Sequence, residues 1–92
     1  MSIEITHVRY GGEHRMEGEI IGYRWRGIAT GTRGENDTPT LVDWVDNGGN
    51  AFVAAGTQQV RLKVIRPHTG SAYLHAHGDE GWTNDLLKLP FY

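Results

Sequence analysis

The chain has 92 residues, with thirteen glycines, three prolines, no cysteine and a formal net charge of −2. A domain of this size buries a modest share of its apolar surface, so a deep catalytic cleft is hard to fit, and without cysteine neither disulfides nor a thiolate zinc site can reinforce it. The negative total argues against bulk nucleic-acid binding, which draws on clustered Lys and Arg, and no run approaches the roughly 18 apolar residues of a membrane span.

The first strand candidate is residues 3–10, rich in β-branched and aromatic side chains and ended by Gly11-Gly12. Ile3 and Ile5 share one face while Val8 and Tyr10 take the other, which calls for a bulge or a two-sided environment. Residues 13–19 are polar and read as a connecting loop. In residues 20–28, Ile21, Tyr23 and Trp25 fall on one face at period two, and Arg24 and Arg26 on the other.

Residues 29–37 have a loop composition, with Gly31, Gly34, Asn36 and Asp37. A helix of about ten residues then starts near Pro39, with Thr38 as its N-cap and Leu41, Trp44 and Val45 recurring at helical spacing. Trp44 reads as a core anchor of the apolar stripe. Asn47-Gly48-Gly49 supplies a left-handed stop. Three further strands follow at residues 51–54, 59–66 and 71–77, and the apolar tail, residues 82–92, must pack on the domain or on a neighbour. The expected fold is therefore a single α+β domain over residues 1–92, a mainly antiparallel sheet of about five short strands with one helix on one face.

If the apolar faces of these strands all turn to the helix, the opposite sheet face presents Arg24, Arg26, Arg61, Lys63, Tyr73, His75 and His77. The acids then fall in loops and on the helix, which creates a local positive field despite the negative total. Arginine forks match phosphate and carboxylate, and aromatic rings offer stacking surfaces, so the combination suits a small anionic or nucleotide-like ligand. A solvated antiparallel face is also ordinarily polar, and cations on it guard against edge aggregation.

His75-Ala76-His77 with Asp79 is the sharpest local constellation, because alternate strand positions point both imidazoles the same way and a carboxylate could add a third ligand. A zinc site normally takes three or four ligands, and His7, His14 and His68 have no matching spacing, so these residues are weak metal candidates. Ser2 and Ser71 are the only serines and neither sits in an elbow-like glycine context, so no nucleophile stands out. The loop Gly31-Thr32-Arg33-Gly34 lacks the lysine and spacing of a phosphate-binding loop. Trp25 and Trp82 could stack on a ligand, although aromatic residues more often serve the core.

The order of elements resembles a small family. The residues that carry the likeness are Val8-Arg9-Tyr10, Tyr23-Arg24-Trp25, Val42-Asp43-Trp44-Val45 with Asn47-Gly48-Gly49, Ala51-Phe52-Val53, Ala72-Tyr73-Leu74, and the closing Gly81-Trp82-Thr83-Asn84-Asp85-Leu86-Leu87 with Leu89-Pro90. The family is domain of unknown function 3892, found in bacteria and their phages, and its usual pattern has an arginine-like residue near His75 and an aspartate near Asp79. The paired histidine departs from that pattern.

No reaction follows from these residues. The expected function is a non-enzymatic binding protein with no cofactor, holding its anionic or nucleotide-like ligand through Arg24, Arg26, Arg61 and Lys63, with His75 beside them and Tyr73 and Trp82 stacking. A phage setting implies a protein that sequesters a host nucleotide immune signal. The alternatives are an interaction module that forms a homo-oligomer through its apolar C-terminal segment, and a metal-dependent hydrolase centred on His75 and His77. The expected location is the cytoplasm, or the host cytoplasm for a phage-encoded chain.

Overall fold

In the computed structural model, which describes residues 1–92, seven strands form one mixed sheet. They are β1 (Ser2–Tyr10), β2 (Ile20–Gly27), β3 (Arg33–Asp37), β4 (Asn50–Ala55), β5 (Gln58–Ile65), β6 (Tyr73–Gly78) and β7 (Gly81–Thr83). The single α-helix, α1 (Thr38–Asp46), follows β3, and short 3-10 turns occupy Glu17–Glu19 and Asp85–Lys88. The spatial order is β3-β2-β1-β4-β5-β6-β7. All neighbours are antiparallel except β1 and β4, whose parallel pairing is made possible by the crossover through α1. No helix is long and apolar enough to cross a membrane.

Two of the seven strands replace segments that composition reads differently. The polar run Arg33–Asp37 forms β3 and pairs along β2, from Gly22 opposite Asp37 to Arg26 opposite Arg33. As an edge strand it needs no apolar side chains, so its loop-like composition conceals it. Likewise Gly81–Thr83 pairs with β6 after a two-residue turn, where Gly81 adopts φ 117°.

The bulge expected in β1 is present: the register slips between Ile5 and His7, so Ile3, Ile5 and Val8 are all buried on one face. A second slip at Arg9/Tyr10 corrects the reading of β2. Ile20, not Ile21, shares the core face with Tyr23 and Trp25, and Ile21 is exposed. An extra residue in one strand reverses the alternation from that point on.

The helix begins one residue earlier than expected and has a different cap. Asp37 accepts from the Thr40 amide at 3.0 Å, while the Thr38 hydroxyl is buried and donates to the Ile20 carbonyl at 2.6 Å. Its end matches the expectation. Gly48, at φ 101°, donates to Val45 O and Gly49 donates to Trp44 O, the two bonds of a Schellman stop.

The sheet curls around its core. β2 and β6 are separated by three strands, yet the Tyr23 hydroxyl lies near the Leu74 backbone and Thr38 without hydrogen-bonding to either, and the Glu17–Glu19 turn lies against β6. Inside are Ile3, Ile5, Val8, Tyr23, Val53, Leu62 and Leu74, with α1 contributing Leu41 and Val42. The C-terminal segment closes the structure from within the same chain. Leu86 is fully buried, Val8 donates to Pro90 O, and Tyr92 donates back to Val8 O, filling the half of β1 that β4 does not reach.

Candidate functional site

Pairing places one side chain from every strand in a single row on the outer sheet face: Arg33, Arg26, Glu4, Phe52, Arg61, His77 and Trp82. Each neighbours the next across the strands, at a spacing of about 4.8 Å. The expected basic face therefore exists in outline, but it is divided. Glu4 and Glu35 share it, contrary to the expectation that acids stay off the sheet, because Glu35 belongs to β3 rather than to a loop.

On the β2 side Arg24 and Arg26 are engaged, while Arg33, on the edge strand, forms no ion pair. Arg24 Nε donates to Glu35 Oε1 at 3.0 Å, and its guanidinium lies 4.0 Å from the centre of the Tyr92 ring. Arg26 donates to Glu4 Oε1 at 3.4 Å. A guanidinium already held by a carboxylate offers little net charge to a further anion. Arg24 and Arg26 are also separated from Arg61 and Lys63 by β1 and β4, so these four residues do not converge.

On the β5–β7 side the arrangement differs. Arg61 donates to the amide oxygen of Asn50 and Lys63 forms no ion pair, so neither is neutralised by a carboxylate. Arg61 stands opposite His77, and Lys63 opposite His75. Trp82 crosses both imidazoles, with ring centres 5.1 Å from His75 and 4.7 Å from His77, and keeps 53% of its surface exposed. Phe52, half-buried beside Arg61, extends the apolar ground; its alternation with Ala51 and Val53 was the signal available for it. The result is an exposed indole and two free cations on three adjacent strands.

Tyr73 is on the same face of β6, but its ring lies under Gly18 of the first 3-10 turn rather than open to solvent. That turn also brings Glu17, which sequence spacing could not place, to 3.5 Å from His75 Nε2. The same nitrogen is 3.0 Å from Thr83 O, so the ring carries its proton on Nε2 and donates to the carbonyl. His75 is thus committed to structural bonds. His77 faces Trp82 edge-on, and no group of three or more His, Asp or Glu side chains stands at metal-ligand spacing.

Burial shifts several phenols. Tyr10, Tyr23 and Tyr92 all have their ionisation pushed up by desolvation, most strongly at Tyr23 in the core. The Tyr23 hydroxyl is buried with no hydrogen-bond partner. Its neutral form is therefore favoured mainly by burial.

Among known families, a model described as "Protein of unknown function (DUF3892)" matches residues 4–90. No curated protein and no solved structure matches the chain.

Proposed function

The chain belongs to the DUF3892 family of proteins of unknown function, and we propose that it is a non-enzymatic binding protein for a small anionic, mononucleotide-like ligand held on the outer face of β5, β6 and β7. The observation that carries this reading is the exposed Trp82 beside two cations, Arg61 and Lys63, that have no carboxylate partner. Trp82 and Arg61 lie two strands apart, about 10 Å, a span comparable to that from base to phosphate. In this reading a base stacks on the free face of Trp82, and a phosphate takes charge-assisted bonds from Arg61 and Lys63. His77, between them, faces the connecting sugar. Arg24 and Arg26 contribute no direct contact.

Calorimetric titration with adenosine monophosphate tests the proposal. Saturable binding by the wild type is expected to weaken at least tenfold in the double variant Arg61→Gln/Lys63→Gln, since a hydrogen bond to a charged group contributes about 1.5–3 kcal/mol. Trp82→Ala is expected to weaken it comparably. Arg24→Gln/Arg26→Gln leaves it within about twofold, as surface substitutions away from a contact do. Unaltered affinity in the Arg61/Lys63 variant, with its melting behaviour preserved, overturns the assignment.

A further inference from the structure

A second concave feature lies on the opposite, helix-facing side of the sheet. Trp25 of β2 and Trp44 of α1 line an open-sided cavity of about 220 Å³, floored by Ile3 and Leu41 and rimmed by Met1 and Asn36. Ile3 and Leu41 are almost completely buried, while both indoles remain only partly buried.

The two indoles are held in place by the backbone. An ideal Cβ on Gly34 would sit 2.2–2.8 Å from three ring atoms of Trp25, and one on Gly49 would sit 2.3–2.4 Å from three ring atoms of Trp44. Each ring therefore lies directly over a glycine, at a distance no larger residue permits. Trp25 is fixed further by donating its Nε1–H to Asn36 Oδ1 at 2.8 Å. That bond orients the Asn36 amide at the rim with its nitrogen donating to no protein acceptor.

We propose that this cavity binds a small fused-ring aromatic molecule carrying one hydrogen-bond acceptor. Its size favours such an occupant, because a closed apolar cavity of about 150 Å³ already takes benzene. Its walls favour one too, since two fixed indoles offer aromatic contact with little side-chain entropy left to lose. The Asn36 amide nitrogen, which donates to no protein acceptor, selects an acceptor on the ring. Pockets of this composition, mostly apolar with two polar side chains, Asn36 and Thr40, are the usual form of small-molecule sites. The site is independent of the anion-binding face, from which it is separated by the thickness of the sheet.

Quinoline supplies the test, observed through the indole N–H resonances of the three tryptophans in an isotope-labelled full-length chain. Titration is expected to shift the Trp25 and Trp44 signals saturably and to leave that of Trp82 in place. Naphthalene, the same shape without the acceptor, is expected to bind at least threefold more weakly. Thr40→Leu, which enlarges a side chain lining the cavity while leaving the backbone amide that Asp37 caps, is expected to weaken quinoline binding at least tenfold. Unmoved Trp25 and Trp44 signals at the solubility limit, or equal shifts at all three tryptophans, overturn the site. Equal affinity for quinoline and naphthalene overturns the role of Asn36, and that comparison needs no variant to fold.

Discussion

Replacing Gly49 by Ala isolates the packing of Trp44. The backbone at Gly49 does not require a positive φ, so an added methyl carries no conformational strain, yet it would fall 2.3 Å from the indole. No real contact is that short, so the ring must leave its seat over the helix stop. Overpacking of this kind costs about 1–3 kcal/mol, which for a domain of this length lowers Tm on the order of 10 °C. In a Trp44→Ala background the obstacle is gone. The same Gly49→Ala change should then be neutral or stabilising by about 0.4–1 kcal/mol, through a less flexible unfolded chain. The cycle predicts that the cost disappears or reverses sign, with an interaction energy of about 1 kcal/mol or more. Urea unfolding followed by circular dichroism measures it without relying on the fluorophore being altered. Equal costs for Gly49→Ala in both backgrounds would refute the argument that the indole, rather than the glycine's own conformation, sets the requirement.

Two further outcomes follow from ionisable groups. The Asp37 carboxyl is held below its ordinary range by the bonds it accepts from Thr40, so the stability it lends is present above the unfolded carboxyl's value near 3.8 and is lost as pH falls through the lower folded one. Asp37→Ala should lower Tm at neutral pH, whereas Asp37→Asn should keep most of the cap and remove its acid dependence; thermal melts from neutral to acid pH compare them, and identical acid profiles for wild type and Asp37→Asn would refute the assignment. At the other extreme, Tyr10, Tyr23 and Tyr92 have raised ionisation in the folded state, so the unfolded chain loses those protons first. Stability should hold up to about pH 10 and decline above it. Tyr23→Phe should flatten that decline, as ultraviolet absorbance and melting across the alkaline range would show; an unchanged slope would count against burial as its cause.

The stop of α1 was legible in the residues because Gly48 acts through its own backbone, and the bulge in β1 was legible because Ile3, Ile5 and Val8 cannot share a face without one. These are local effects. The cap was one residue off because Thr38 and Asp37 are both competent, and the choice was made by Ile20 O, which takes the Thr38 hydroxyl. β3 escaped notice for a related reason: its pairing is with β2, and an edge strand can be polar throughout.

The candidate site divides along the same line. Strand alternation alone determined that Arg24, Arg26, Arg61, Lys63, His75 and His77 point away from the apolar core, since side-chain direction has a fixed period of two. Which of them stand together was decided by strand order, which set β1 and β4 between the two arginine pairs and brought Trp82 across both histidines. Tertiary structure also decided their charge state of engagement, by setting Glu35 beside Arg24 and Glu4 beside Arg26 while leaving Arg61 and Lys63 without a carboxylate. Periodicity is a property of one strand, but proximity between strands depends on contacts distant in the chain, and only the folded sheet supplies them.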